Sequence, residues 1–321
     1  MKMGVRAMSF ADEKSGKSSP IYLGSLQHDL LPARIVEAAA ALRDCHLWGN
    51  DCGIDRTQQP GPCRVGEVAW VASYGPHMGE EDVLRGWRGS GTIFFSGCNL
   101  HCVYCQNHDI SQALVGSPAD AEALAAMMLE LQAMGCHNIN LVSPTHVAAH
   151  LVAGMVLAIR AGLRIPFVYN TGGYDGPQAL ALMDGLIDIY MPDMKYADAE
   201  TGLKLSLVRD YPAVNRAAVR EMHRQVGDLQ IDRRGLARRW LLVRHLVLPG
   251  GLAGTLEVAR FLAEEVSPET YINVMAQYHP AYRAVEHAPL GRCVTPQEYQ
   301  DALDQARAAG LHRFDRRTGR F

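Results

Sequence analysis

The sequence predicts an α/β fold, a parallel sheet with helices packed outside it. Two observations carry this. From Thr92 onward, short β-branched and aromatic runs alternate six times with longer helical patterns, and such alternation builds βαβ units. The chain also has 321 residues, 48% of them hydrophobic, enough for one or two domains with a sizeable core. The expected strands are Thr92–Phe95, Asn138–Val142, Phe167–Asn170, Ile187–Met191, His245–Leu248 and Ile272–Ala276. The helices between them are Pro118–Met134, Thr145–Ala161, Pro177–Asp184, Ala213–Val226 and Thr255–Glu265. Crossovers of one hand curl such a sheet into a partial barrel. A doubly wound open sheet has the same pattern, and periodicity does not separate the two.

Before the barrel, residues 1–20 are polar and read as a lead-in. Gly16-Lys17-Ser18 matches only the end of a phosphate loop, without its first glycine or a preceding strand. Pro32 to Leu42 is an alanine-rich helical stretch. Cys45, Cys52 and Cys63 follow, with Gly49, Gly53, Pro60 and Gly61 between them. Val65 to Ser73 alternates as an edge strand does. Residues 1–88 are therefore expected to form an N-terminal extension, residues 89–290 the barrel, and residues 291–321 a C-terminal helix and basic tail. That helix starts at Thr295-Pro296-Gln297-Glu298 and stops at Gly310. Ser117 is the expected cap of the first barrel helix.

The first barrel strand runs into Ser96-Gly97-Cys98-Asn99-Leu100-His101-Cys102-Val103-Tyr104-Cys105-Gln106-Asn107. Gly97 relieves the backbone where strand becomes loop. Three cysteines at C-x3-C-x2-C spacing turn three thiolates toward one region, and such thiolates hold iron–sulfur clusters. A cubane has four irons, so three ligands leave one iron free to bind something else. The rival readings are unrelated core cysteines or a zinc knuckle with His101 or His108 as fourth ligand.

The string Gly-Cys-Asn-Leu-x-Cys-x-Tyr-Cys-Gln-Asn resembles the radical S-adenosylmethionine (SAM) superfamily, and within it the relatives of pyruvate formate-lyase activating enzyme. The resemblance implies a partial (β/α)6 barrel of the radical SAM type, a [4Fe-4S] cluster on Cys98, Cys102 and Cys105, and SAM chelated to the open iron. It implies reductive cleavage of SAM to a 5′-deoxyadenosyl radical that abstracts hydrogen from a substrate. In that branch the substrate is often a glycine of a partner enzyme, which becomes a glycyl radical. An electron donor such as flavodoxin or ferredoxin is implied too. The N-terminal cysteines are similar to a module of the same family with the pattern C-x2-C-x3-C and a more distant cysteine. Here Trp48 stands at the second position, so metal binding by Cys45, Cys52 and Cys63 is open, with His46 as a substitute ligand or Trp48 filling a lapsed site.

In barrels and open sheets, ligands gather at the carboxyl ends of strands, so the residues there are the candidate SAM contacts. Tyr104 is carried by the resemblance next to the adenine. After the second strand, Ser143-Pro144-Thr145-His146 replaces the superfamily's Gly-Gly-Glu-like turn. Ser143 and Thr145 either approach the SAM ammonium or cap the helix. After the third, Asn170-Thr171-Gly172-Gly173 resembles an Asp-Thr-Asn-Gly stretch, with Asn170 at the acidic position, or is a tight turn. After the fourth, Lys195 neutralises the SAM carboxylate by resemblance, or forms a surface pair with Asp193. Pro249-Gly250-Gly251 after the fifth is a turn fitted for a passing ligand. After the sixth, His279 borders SAM by resemblance, or is structural.

Between the fourth and fifth strands lies a long insertion with Arg216, Arg220, Arg224, Arg233, Arg234, Arg238 and Arg239, and with Trp240 where the resemblance expects glycine. It is either a receiving surface for an acidic partner or a solvated face. Net charge is −3, so nothing points to nucleic acid. No apolar run reaches the ~18 residues of a membrane span. Eight cysteines without a secretory signal fit a reducing cytoplasm and metal ligation. Two rivals to the enzyme remain at this stage: a non-catalytic iron–sulfur electron carrier or sensor on the same fold, and a zinc-stabilised binding module.

Overall fold

The computed structural model describes residues 19–316 and 318. The lead-in with Gly16-Lys17-Ser18 and the end of the basic tail lie outside the described residues. Two helices come first, α1 (Tyr22–Gln27) and α2 (Leu31–Arg43). Strand β1 (Ala69–His77), helix α3 (Asp82–Arg85) and strand β2 (Ser90–Phe95) follow. After the three-cysteine loop come α4 (His108–Ser111), β3 (Ser117–Ala119) and α5 (Ala121–Ala133). The barrel continues through β4 (Ile139–Val142), α6 (Ala148–Arg160), β5 (Phe167–Thr171), α7 (Pro177–Met183) and β6 (Ile189–Pro192). Next are α8 (Ala199–Ser206), α9 (Tyr211–Val226), β7 (Gln230–Ile231), β8 (Ala237–Leu246), α10 (Thr255–Phe261) and β9 (Tyr271–Met275). Helix α11 (Pro296–Ala308) and strand β10 (Arg313–Phe314) close the chain.

Six strands, β2-β4-β5-β6-β8-β9, are parallel neighbours in sequence order. A doubly wound sheet reverses its order at a switch point, and this one does not. With β10 on one edge and β1 then β3 antiparallel on the other, the sheet stays open. The fold is the expected partial barrel.

Several elements differ from expectation for identifiable reasons. β1 is not an edge strand, because the three-residue β3 covers it. Ser117 lies in β3, so the cap of α5 is Asp120, whose Oδ1 accepts from the Ala123 amide at 2.9 Å. β8 begins eight residues before the expected His245. The C-terminal helix has the predicted start, a capping box between Thr295 and Glu298.

The main core lies between the sheet and the outer helices, where Phe167, Tyr169 and Tyr190 are fully buried. α2 packs on α6 and α7, its Ala38 and Ala41 allowing close approach. A second cluster joins Val83 and Leu84 of α3 to Val168, Ile189, Met191, Trp240 and Leu242. Alternation along β5 puts Val168 on the same face as Asn170, which lines the central cavity. The cluster therefore plugs the barrel interior below that cavity. Trp240, where a glycine was expected, fills this plug, and burying each large apolar side chain contributes about 1.5–3 kcal/mol. Asn138 Nδ2 donates to the Leu84 carbonyl at 2.8 Å and ties the plug to the wall.

The arginines of the insertion are largely engaged within the chain. Arg216 and Arg220 lie over the Phe261 ring, and Arg220 also pairs with Glu265. Arg224 pairs with Asp184 and Glu221, and Arg238 with Asp232. Arg239 donates to the Gln225 carbonyl, and Arg234 lies over Trp87.

Candidate cluster and cofactor site

The loop between β2 and α4 carries the cysteines to the open end of the barrel. Gly97 has φ +78°, the left-handed region that glycine enters without strain. The loop is held from several sides. Asn99 Nδ2 donates to the Tyr174 carbonyl at 2.8 Å. The His101 and Val103 amides donate to the carbonyls of Ser206 and Leu205 at the end of α8. Cys98, Cys102 and Cys105 line one cavity of about 440 Å³ with Tyr104, Ser143, Asn170, Lys195, Asp193 and Arg244.

Each thiol has a hydrogen-bonding neighbour. The Leu100 amide donates to Cys98 Sγ at 3.4 Å. Ser206 Oγ lies 2.9 Å from Cys102 Sγ, and Ser111 Oγ 3.2 Å from Cys105 Sγ. Burial pushes the Cys98 thiol up to about 12 and also raises Cys102, where Lys195 pulls the other way. Bare thiolates are thus disfavoured there, and a cluster that takes three thiolates relieves that cost. N–H and O–H groups aimed at sulfur are the donors that tune a cluster, so the residues present fit one.

Asp193, Lys195 and Arg244 form the charged wall of the cavity. Lys195 Nζ lies 2.6 Å from Asp193 Oδ2, and Arg244 Nε lies 3.0 Å from Asp193 Oδ1. Burial alone would raise the Asp193 carboxyl, but Arg244 and then Lys195 outweigh it and hold it below its ordinary value. Burial likewise opposes the Lys195 charge, and Asp193 overrides it, so the ammonium is retained. This is no surface pair: all three side chains are only 17–20% exposed. Arg244 Nη2 also donates to Asn170 Oδ1 at 2.7 Å. Arg244 was not singled out in the sequence, although a charge within Leu241-Leu242-Val243-Arg244-His245-Leu246 is a signal.

The other expected residues divide. Ser143 lines the cavity with φ +55°, a strained value for serine. Thr145 turns away: its hydroxyl donates to Asp175 Oδ1 at 2.6 Å, beside Thr171 Oγ1 at 2.9 Å. Thr171 and Tyr169 also donate to Asp175. Burial pushes that carboxyl up to about 6, against the pull of Thr145, Thr171 and Tyr169. The group braces the turn that carries Asn170 and Gly172. Tyr104 is buried, its hydroxyl accepting from Tyr196 at 2.7 Å. His279 is exposed at the rim, outside the cavity lining, with Nδ1 3.3 Å from Gln106 Nε2. The Pro249-Gly250-Gly251 turn also stands outside the lining. It meets α11, where the Gly250 amide donates to Glu298 at 2.7 Å.

His101 Nδ1 is taken by Gln112 at 2.8 Å, and His108 stacks on Tyr282. Neither lines the cavity. Among the described residues, no three His, Cys, Asp or Glu side chains converge as a single metal ion requires. In a cubane each thiolate takes a separate iron, so the cluster loop need not converge in that way. In the N-terminal module, Cys45 and Cys63 are buried and Cys52 is partly so. Burial pushes Cys52 up to about 11, with Cys45 and Cys63 adding to it. Beside them is a cation: Arg56 Nη1 donates to Cys45 Sγ at 3.4 Å. Trp48 is buried edge-on against Tyr174. His46 faces away, bonded to Asp44 and Asp51.

An open six-stranded parallel barrel with a three-cysteine loop at its mouth defines a class. The family model of the radical SAM superfamily matches residues 92–262, and the chain belongs to that superfamily. Its members are enzymes that use a [4Fe-4S] cluster and SAM. The chain is 30% identical over 292 residues to the uncharacterized protein MJ0674 of Methanocaldococcus jannaschii, covering 88% of this chain and 80% of that protein. Among solved structures, Streptococcus suis SuiB bound to precursor peptide SuiA overlaps 68% of this chain at 12% identity and a TM-score of 0.44. The overlap spans 46% of the SuiB chain. TYW1 with a lysine-pyruvate adduct bound overlaps 68% of this chain and 73% of its own, at 8% identity and a TM-score of 0.43. No helix among the described residues is long and apolar enough to cross a membrane.

Proposed function

We propose that this chain reductively cleaves SAM and uses the 5′-deoxyadenosyl radical to take hydrogen from a substrate. Cys98, Cys102 and Cys105 hold the cluster, which supplies the electron and an iron open to the ligand. The observation that carries this reading is the shared cavity, in which the three thiols face Lys195, Asn170 and Ser143. Lys195 meets the SAM carboxylate. Asp193 fixes its ammonium in place and keeps it charged, and Arg244 holds Asp193 from the other oxygen. Asn170, its carbonyl oxygen held by Arg244, offers its amide to the ribose or amino-acid part. Ser143 accepts from the SAM ammonium, Tyr104 borders the adenine, and His279 closes the rim.

The finer reading is an activase that installs a glycyl radical in a partner enzyme, as the likeness of the loop to pyruvate formate-lyase activating enzyme implies. A flavodoxin or ferredoxin delivers the electron. Residues 1–88 act as an extension, 89–290 as the catalytic barrel and 291–321 as a C-terminal helix and basic tail. The test is anaerobic reconstitution, reduction and addition of SAM, with 5′-deoxyadenosine read by chromatography. Wild type should form it and Cys102→Ala should not. Product from the mutant at the wild-type rate contradicts the assignment.

A further inference from the structure

The N-terminal cysteine pocket and the cluster loop are joined by an unbroken polar chain. Arg56 is only 1% exposed. Its Nη1 donates to Cys45 Sγ, and its Nη2 donates to the His146 carbonyl at 3.2 Å. His146 is fully buried, with Nε2 2.8 Å from the Ser96 carbonyl oxygen. A carbonyl only accepts, so Nε2 carries the proton. Ser96 is two residues before Cys98. The residue between them, Gly97, is also fixed by the module. A Cβ there would stand 2.6 Å from the Cys63 carbonyl oxygen and 3.3 Å from His146 Nε2. The module thus reaches the loop twice, once through Arg56 and the barrel's His146 to the Ser96 carbonyl and once by the close approach of the Cys63 carbonyl to Gly97, and both fall on the pair of residues preceding Cys98.

This arrangement carries a cost. Arg56 Nε and His146 Nδ1 are buried without a hydrogen-bond partner among the described residues, and each such atom lowers stability by its lost hydration. A buried guanidinium held by one thiol and one carbonyl is a poor choice for stability alone. Its other effect is to pin the His146 backbone, and through it the ring that holds Ser96.

We propose that Arg56 and His146 are positioning residues that clamp the Ser96 carbonyl and so set the backbone from which Cys98 reaches the cluster. The inference rests on Cys98, Cys102 and Cys105 being the cluster ligands. Without His146, the Ser96-Gly97 peptide keeps only the hydrogen bond from the Gly97 amide to the Ile110 carbonyl at 2.9 Å, and a shift of its freed carbonyl carries to Cys98 Sγ and to the Leu100 amide that donates to it. Hydrogen bonds to cluster sulfur set the reduction potential, so the clamp is read in the potential as well as in retention of iron.

The test uses the full reconstituted chain as wild type, His146→Leu, His146→Gln and Arg56→Met. Redox titration followed by electron paramagnetic resonance gives the midpoint potential. Competition with an iron chelator gives retention, and thermal unfolding is run in parallel. His146→Leu should hold iron roughly tenfold less tightly and shift the potential. His146→Gln, which keeps an N–H donor, should return both toward wild type, and Arg56→Met should move the potential in the same direction as His146→Leu. An unchanged potential in His146→Leu, or equal effects of Leu and Gln, overturns the clamp. If His146→Leu does not fold, Arg56→Met decides, and an unchanged potential there overturns it. A wild-type chain that takes up no cluster fails the cluster reading itself, and the clamp with it. Variants that match a clustered wild type fail the clamp alone.

Discussion

Replacing Lys195 by Met removes one charge from the cavity wall and keeps most of the aliphatic stem. The magnitude follows from the wall's geometry. Asp193 loses its 2.6 Å contact to Nζ but keeps Arg244 at 3.0 Å, so no carboxylate is left buried and unpaired. One hydrogen bond to a charged group is worth about 1.5–3 kcal/mol, and the chain should lose no more than that in stability. The same bond, made to the SAM carboxylate, sets the loss in binding at roughly 10- to 150-fold in Kd. Lys195→Arg should not rescue fully, because a planar fork reaches a different point from an ammonium. The assay is equilibrium dialysis of SAM against reconstituted proteins matched for iron content. Wild-type affinity in Lys195→Met would refute the reasoning, because the ammonium would then serve Asp193 and not the ligand.

Two further predictions concern the braces of the site. Asp175 is raised from 3.8 to about 6, so the folded chain binds its proton more tightly than the unfolded chain does. Its contribution is present in full below about pH 4 and is lost as pH rises through about 6, to about 3 kcal/mol. Asp175→Asn should flatten that part of the urea-unfolding profile, and parallel profiles for wild type and variant would contradict the expectation. At Gly97, alanine would sit at φ +78° with Cβ 2.6 Å from the Cys63 carbonyl oxygen. Left-handed backbone alone costs about 1–2 kcal/mol, so Gly97→Ala should unfold more easily in denaturant and take up less iron. A variant equal to wild type in both would show that the loop and module do not pack in this way.

The six strands were legible because each is a compact apolar run bounded by turns. β8 was legible only at its end, since Arg238, Arg239 and Arg244 interrupt the apolar pattern and made it read as part of the insertion. α8 gave little signal because Gly202 lowers helix propensity in mid-helix. The cysteine loop declared itself by local spacing. Arg244 did not, since its partner Asp193 is 51 residues away and a pairing at that distance leaves no mark in composition. Thr145 sits at a strand end, as ligand contacts do, yet its hydroxyl serves the buried Asp175. That carboxylate needs three donors, a demand visible only in three dimensions. The insertion's arginines left a receiving surface and a solvated face both open, because two of their partners, Glu265 and Asp184, lie outside the insertion.

The account stands on an iron of the cluster that binds SAM directly. Electron–nuclear double resonance on the reduced, reconstituted protein with SAM labelled with nitrogen-15 at its amino group tests this most directly. The account predicts a hyperfine coupling from the labelled nitrogen to the cluster in wild type. A cluster that forms on all three cysteines yet shows no coupling to bound, labelled SAM would contradict it.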